Sequence, residues 1–587
     1  MRTPLPLGLP ALAAAVWMVA AAAQAVFPTS NPINATIPQS SFTVEIEDVL
    51  TIPNSDGQAP RMEDLVFGGE PGAAYVVDQR GPVYKFDPSD ANPAPELFFD
   101  LYDVVGNANI NFQTGVRGMA FHPDFNTPNT PGYRKFYTSH SRNPFSSIAG
   151  ANTKFFFSPN PPGITHDSVV GEFTVDANGE VVSSSYRELF RVGQPETDHN
   201  IGQIGFDPTA QPGDADYGNL YIALGDGGGA GNPYGLAQNR TTITSANSGG
   251  LGFPHGSILR VNPIATTGAA FQVPADNPFV GEANAIEEVW AYGLRNPHKF
   301  AWDPVTGKML ISDIGQSNVE EVNLGAAGAN YGWSEREGTF DLVSTDVVTD
   351  LPANHPSDGF TYPVAQYDHD PDNDNQDGGL DAIVGGPVYR GNDLPGLTGR
   401  YVLGDFSAND ALYSVGVGDL VQRDDFSDLA NLNGGLLAPL EEIRLTRNGS
   451  PTSLLTLIRA ESGNQGLNRT DIRIEAGPDG EVYVLNKHDG TVRRLASIAG
   501  ATPGDYNADG VVNAADYTVW RDHLGDPSGT LPNDPEGGPV GAAQYRIWRE
   551  NYTGGVPNGL SAFVPEPGSA CLAAFAAAWV TGRRGRN

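Results

Sequence analysis

The chain has 587 residues, 34 basic against 69 acidic side chains, a formal net charge of −35 and one cysteine. That charge excludes binding to nucleic acid, which needs cations to neutralise phosphates, and suits an exported protein or one that holds divalent cations. A lone Cys571 excludes an intramolecular disulfide, so stability must come from packing or bound metal.

The N-terminus reads as an export signal over residues 1–25. Arg2 supplies the positive charge, Leu5 to Ala23 is apolar and alanine-rich, and Ala23-Gln24-Ala25 is a small-x-small cleavage site. The expected mature chain starts near Val26, in the periplasm, at the cell surface or outside the cell. Pro4, Pro6 and Pro10 and the short apolar core argue against a membrane anchor.

From about residue 40 to 495 one local grammar returns six times: a short apolar strand, a Pro/Asp/Gly turn, and a second strand of the type aliphatic-Tyr-aliphatic. The copies are Asp64 to Pro88, Gly118 to His140, Gln203 to Asp226, Lys299 to Gln316, Gly399 to Val415 and Arg473 to Leu495. The 71 glycines and 47 prolines fit many tight turns. Six all-β repeats predict a six-bladed β-propeller, whose blades must stack into a ring to bury both faces. A pair of β-sandwiches is the other candidate, but sandwiches do not repeat a turn signature in this way.

In a propeller the loops at one mouth converge, so residues distant in sequence meet. Polar groups recur in such loops: Gln113, then Asp198-His199 and Asp226 around the third copy. Arg295-Asn296 precede the fourth, and Gly315-Gln316 with Glu320-Glu321 follow it. A base, a guanidinium, an amide and carboxylates would make a site for a polar, anionic cofactor with a cation. Each alone is more often a blade-to-blade hydrogen bond than a site residue; their recurrence in loops of one type argues for a site.

The segments QTGVRGMAFHPDF (Gln113 to Phe125), DHNIGQIGF (Asp198 to Phe206), LYIALGDGG (Leu220 to Gly228) and GSILRVNP (Gly256 to Pro263) resemble the glucose/sorbosone dehydrogenase family. So do EVWAYGLRNPHKFAWDPVTG (Glu288 to Gly307), DIGQSNVEEVNL (Asp313 to Leu324) and NYGWSEREG (Asn330 to Gly338). The resemblance spans roughly residues 40–495. It implies a soluble aldose dehydrogenase that uses pyrroloquinoline quinone (PQQ) and calcium on a six-bladed propeller. By that resemblance His199 is the general base, Asp226 the carboxylate behind it, and Gln113 a residue near sugar and quinone. Arg295 and Asn296 hold the cofactor and polarise its reactive carbonyl. The backbone oxygens of Gly315 and Gln316 ligate the catalytic calcium.

Three departures stand out. Arg390 replaces a lysine expected near the cofactor. Asn409 and Asp410 stand where a basic residue near the cofactor carboxylates is common. The insertion Asp368 to Asp381 is acidic and reads as a solvated turn or a calcium loop.

After Leu495 the grammar changes. Over residues 496–555, Asp505, Asn507, Asp509, Val511, Asn513 and Asp516 occupy the ligand positions of an EF-hand-like calcium loop, with Gly510 at its sixth position. A helix follows from Asp516. This resembles half of a type I dockerin; the resemblance implies a cohesin partner, and a small calcium-stiffened spacer is the other reading of equal weight. Gln544 to Asn551 predicts a second helix, but the loop before it lacks the ligand pattern.

Residues 556–587 carry VPEPGS, an apolar run from Ala570 to Val580, and Arg583, Arg584 and Arg586. This resembles the PEP-CTERM sorting signal, which implies transient membrane attachment and processing by sorting machinery. The run is too short for a stable span. Two functions are therefore expected: a quinoprotein that oxidises the C1 hydroxyl of an aldose to the lactone, or a catalytically inactive surface propeller that binds carbohydrate or a protein partner.

Overall fold

The computed structural model describes residues 26–27, 32–33, 36–55, 57–144, 154–156, 163–240, 252–351, 359–369, 382–407, 410–423, 437–496, 503–507, 512–527, 530–534 and 538–552. The signal peptide, Cys571, Asn409, Asp509, Val511, the sorting tail and most of the acidic insertion lie outside them. Strands dominate, with few helices, in a propeller-like arrangement.

Six strands each begin a run of antiparallel pairing, β5 and β6 from the two ends of one nine-stranded sheet: β1 (Met62–Val66), β2 (Val116–Phe121), β3 (Ile201–Phe206), β4 (Lys299–Trp302), β5 (Ile383–Val388) and β6 (Arg473–Ala476). From β3 the sheet continues through Leu220–Leu224, Ser257–Val261 and Val289–Tyr292, each paired with the strand before it. Each opening strand also lies against the next, and β6 returns to β1, so the six form a closed ring.

The sheet opened by β6 takes its outermost strand from the other end of the chain. Gln39–Thr51 pairs antiparallel with Thr491–Ala496, and also runs parallel to Glu441–Arg447 of the preceding sheet.

Alternation explains why the sheets must stack. Ala74–Asp78 is buried at every residue. Tyr75 and Val77 pack toward the sheet of β2, while Ala74 and Val76 pack toward the sheet of β6. Leu220–Leu224 divides in the same way: Leu220, Ile222 and Leu224 face the sheet of β2, and Tyr221 and Ala223 face that of β4. Successive side chains of a strand point to opposite faces, so every sheet needs two neighbours. Full burial of one such side chain stabilises by about 1.5–3 kcal/mol, an upper figure.

Glu320 and Glu321 are expected in a loop. They lie instead in the strand Val319–Leu324 and are buried. Glu320 accepts from the backbone N–H groups of Gly315 and Ile383, and Glu321 from Gly338, so both brace neighbouring loops.

Beyond the ring, helices Ala514–Asp522 and Ala542–Asn551 pack against each other over a cluster of Tyr517, Trp520, Tyr545 and Trp548. The first helix starts two residues earlier than expected because Asn513 caps it: its side chain accepts from Ala515 N–H, and Asp516 reaches back to Asn513 N–H. The other Asp516 oxygen accepts from Asn507 N–H. Among the described residues no helix is long and apolar enough to cross a membrane.

Candidate active site

The loops before each opening strand and after the second strand of its sheet share one end of the ring, because neighbouring strands are antiparallel. His199 precedes β3 and Asp226 follows Leu220–Leu224. Arg295-Asn296 precede β4, and Gly315-Gln316 follow Met309–Asp313.

Backbone hydrogen bonds tie these loops together. Asp226 N–H donates to Arg295 O at 2.8 Å. Arg295 and Asn296 N–H both donate to Asp313, at 2.9 and 2.7 Å. The Asn200 amide donates to Gln113 O at 3.0 Å, which draws the second repeat to the third.

His199 is buried, with Nδ1 2.6 Å from Asp226 Oδ1. A carboxylate facing an imidazole accepts, so Nδ1 carries the hydrogen and Nε2 keeps its lone pair. Asp226 is fully enclosed; it also accepts from Gly228 N–H at 3.0 Å and from Trp333 Nε1–H at 2.8 Å. His199 adopts φ 51°, in the left-handed region that a non-glycine residue enters only where its surroundings hold it. Gly225 makes the close approach possible: a Cβ there would lie 2.5 Å from His199 O and 2.6 Å from its Cβ.

Arg295 directs Nη1 at two carbonyls, Ile314 O at 3.0 Å and Gly315 O at 2.6 Å, and its guanidinium lies 5.6 Å from the Trp333 ring centre. Its Nε is buried with no hydrogen-bond partner among the described residues. An orphaned donor of this kind matches an oxygen of a bound anionic or quinoid cofactor. The carbonyls of Ile314 and Gly315 already converge on a positive charge, and oxygen donors of this class suit calcium. Among the described residues no three acidic, histidine or cysteine side chains are grouped to hold a metal.

Two carboxylates here are pushed upward. Burial raises Asp313 well above the usual range, reinforced by Glu321, and burial raises Glu321 to about 7. Glu337 accepts from four successive backbone N–H groups, Gln316 to Val319, and so fixes the loop that presents Gly315.

Arg390 does not join this site. It follows the opening strand β5 rather than preceding it, which puts it at the opposite end of the ring. There Nε and Nη2 donate to the two oxygens of the buried Asp303, at 2.9 and 2.7 Å. The expected cofactor contact is corrected to a structural pair between neighbouring sheets. Arg390→Gln is expected to cost about 1–2 kcal/mol of stability and to leave quinone retention unchanged. Thermal denaturation and equilibrium dialysis of the variant check both halves. Asp410 is likewise spent locally: Oδ2 accepts from Leu455 N–H at 2.9 Å, at the start of the helix Leu454–Ser462.

Several groups at this end escape the sequence reading. Trp333 lies within the quoted segment Asn330 to Gly338, yet its hold on Asp226 emerges only from the fold. A cationic cluster lies beside Gln113. The Arg469 guanidinium sits between Phe112 and Phe406, 4.8 and 5.1 Å from their ring centres, and Lys487 lies 5.9 Å from Phe112. Deeper in the channel, Arg117, Arg473 and Lys487 all converge on the buried Glu63. The signal was present: charged residues near the start of the opening strand in the first, second and last repeats.

The profile of the Glucose / Sorbosone dehydrogenase family matches residues 99–417. HIPL1 protein of Arabidopsis thaliana is 29% identical over 389 residues, which cover 61% of this chain and 51% of that protein. Quinoprotein glucose dehydrogenase B of Acinetobacter calcoaceticus is 25% identical over 268 residues, 44% of this chain and 47% of that one. The chain thus spans about half the length of the curated relatives it matches. A crystal structure of a glucose dehydrogenase is 18% identical with a TM-score of 0.49, over 77% of this chain and 99% of that one.

Proposed function

Because the chain belongs to the glucose/sorbosone dehydrogenase family, we propose that it is an exported quinoprotein on a six-bladed propeller. It would oxidise the C1 hydroxyl of an aldose to the lactone. The observation that carries this reading is the buried relay from Trp333 through Asp226 to His199, tied by backbone bonds to Arg295 with its unpartnered Nε.

PQQ, when bound, supplies the hydride acceptor that no side chain provides. Arg295 and Asn296 would hold it, with Gln113 beside it. Arg469, paired with Asp471, and Lys487, paired with Glu63, are the cations beside this site where Asn409 and Asp410 bring none. Backbone oxygens of Gly315 and Gln316 would hold calcium, whose charge favours a developing oxyanion. His199 Nε2 accepts the proton of the anomeric hydroxyl, since Asp226 fixes the hydrogen on Nδ1 and sets the ring plane. Trp333 and Gly228 keep Asp226 in place by occupying its remaining lone pairs.

The segment 496–555 is proposed to take a second calcium through Asp505, Asn507, Asp509, Val511, Asn513 and Asp516, and to offer a face to a cohesin. The tail 556–587 is proposed to address the protein to sorting machinery at the membrane.

Reconstitution with calcium and PQQ, followed by dye reduction with a panel of aldoses, tests the central claim. Turnover with at least one sugar is expected. No turnover, with no quinone retained on desalting, would favour the surface propeller that binds carbohydrate or a protein partner.

A further inference from the structure

The ring has a second opening, at the end away from His199. A cavity of about 430 Å³ lies there, lined by residues of all six opening strands and the turns that follow them. Its volume is in the range of small-molecule sites. Three aromatic side chains from different sheets line it and are only half-buried: Phe67, Phe206 and Trp302. Each also touches a neighbouring ring, Tyr483, Tyr137 and Phe300 respectively, which holds it in place while part of its surface stays open.

The polar groups of this cavity sit at its floor. Lys299, buried, donates to Glu475, and its ammonium lies 3.8 Å from Asp64. Asp64 accepts from Met119 N–H at 3.1 Å. Gln203 gives its carbonyl to Phe300 N–H at 2.9 Å, and its amide nitrogen has no partner among the described residues.

We infer that this cavity binds a neutral, hydroxylated ring, a single saccharide unit, stacked on the aromatic side chains with its hydroxyls on Lys299, Glu475, Asp64 and Gln203. At the floor the single ammonium of Lys299 is already neutralised by Glu475 and Asp64, and Asp207 adds a further carboxylate to the lining, so the site does not call for an anion. An anion would meet Glu475 and Asp64, and a wholly apolar guest would strip water from three charged groups without replacing it. A sugar hydroxyl both donates and accepts, so it can engage an ammonium and a carboxylate in turn, while its C–H faces suit aromatic rings.

The cavity is separate from the candidate active site. Arg117 contacts both Glu63 and His298, the residue before Lys299, so a plug of charge fills the channel between the two ends. None of His199, Asp226, Arg295 or Gln113 lines the cavity. The inference does not depend on the oxidoreductase reading.

Saturation-transfer NMR and calorimetry on the full chain without quinone, with glucose, galactose and xylose as probes, test it. Millimolar binding of at least one sugar is expected, weakened about tenfold or more by Trp302→Ala and by Ala210→Trp at the cavity rim. The same affinity is expected in His199→Asn. Absence of binding to any sugar would overturn the inference, as would binding that survives both cavity variants or that vanishes in His199→Asn. Preferential uptake of phenol or acetate over every sugar would overturn it too. Circular dichroism of each variant separates loss of the site from loss of the fold.

Discussion

His199→Asn is expected to lower the rate of sugar oxidation by the reconstituted protein by about 10²–10⁴-fold, the usual worth of a positioned general base. Quinone retention should be unchanged. Asparagine is the informative replacement because it tolerates the left-handed backbone that His199 adopts. Its amide can still donate to Asp226, so the loop keeps its hydrogen bond while the basic nitrogen is gone. Asp226 would also keep Trp333 and Gly228, and no buried carboxylate is orphaned. Stopped-flow dye reduction with dialysis of bound quinone reads both quantities. An unchanged rate would remove His199 from its role; a lost quinone would make it a binding residue.

Glu63→Gln is expected to destabilise the fold by about 3–5 kcal/mol, the cost of breaking a buried ion pair from one side. Glu63 is fully buried, and Arg117, Arg473 and Lys487 all pair with it. Burial alone would raise its pKa, but the three cations outweigh burial and pull it to about 2. A carboxylate held below its unfolded value of 4.5 contributes stability in full above that value and loses it as pH falls through about 2. The variant should therefore lose less of its remaining stability over that window than the parent does. Lys487 is pushed down to about 7 by burial and by Arg473 and Arg117 against the pull of Glu63; without that pull its neutral form is favoured further, which limits the damage. Urea denaturation at pH 3 and pH 7 checks the sign. Equal losses at both pH values would show that the cluster does not store the energy assigned to it.

The strand grammar was readable because stacked sheets bury both faces, which forces apolar alternation between turn residues in every copy. The meeting of His199 with Asp226 and Arg295 was readable only through the resemblance, since no spacing brings residues 199, 226 and 295 together. Arg390 misled because a motif match says nothing about which end of a strand a residue occupies. Counting from the start of β5 would have placed it correctly, since it follows an opening strand whereas Gln113, His199 and Arg295 precede one. Glu320 and Glu321 were misplaced because their strand, VEEVNL, carries two acids that look solvated until Gly315, Ile383 and Gly338 are seen to need acceptors. The Glu63 cluster left a signal, a charge near the start of three opening strands, but its members sit in three different copies and only the ring brings them together.

The pairing of Gln39–Thr51 with Thr491–Ala496 sets a condition on biosynthesis. A nascent polypeptide released N-terminus first carries its latch unpaired until more than four hundred further residues have been made. Nothing can seal the circle earlier, so maturation is a late, nearly all-or-none event with a high contact order and a slow rate. Once sealed, neither terminus of the ring can peel away alone, because each is woven into the other.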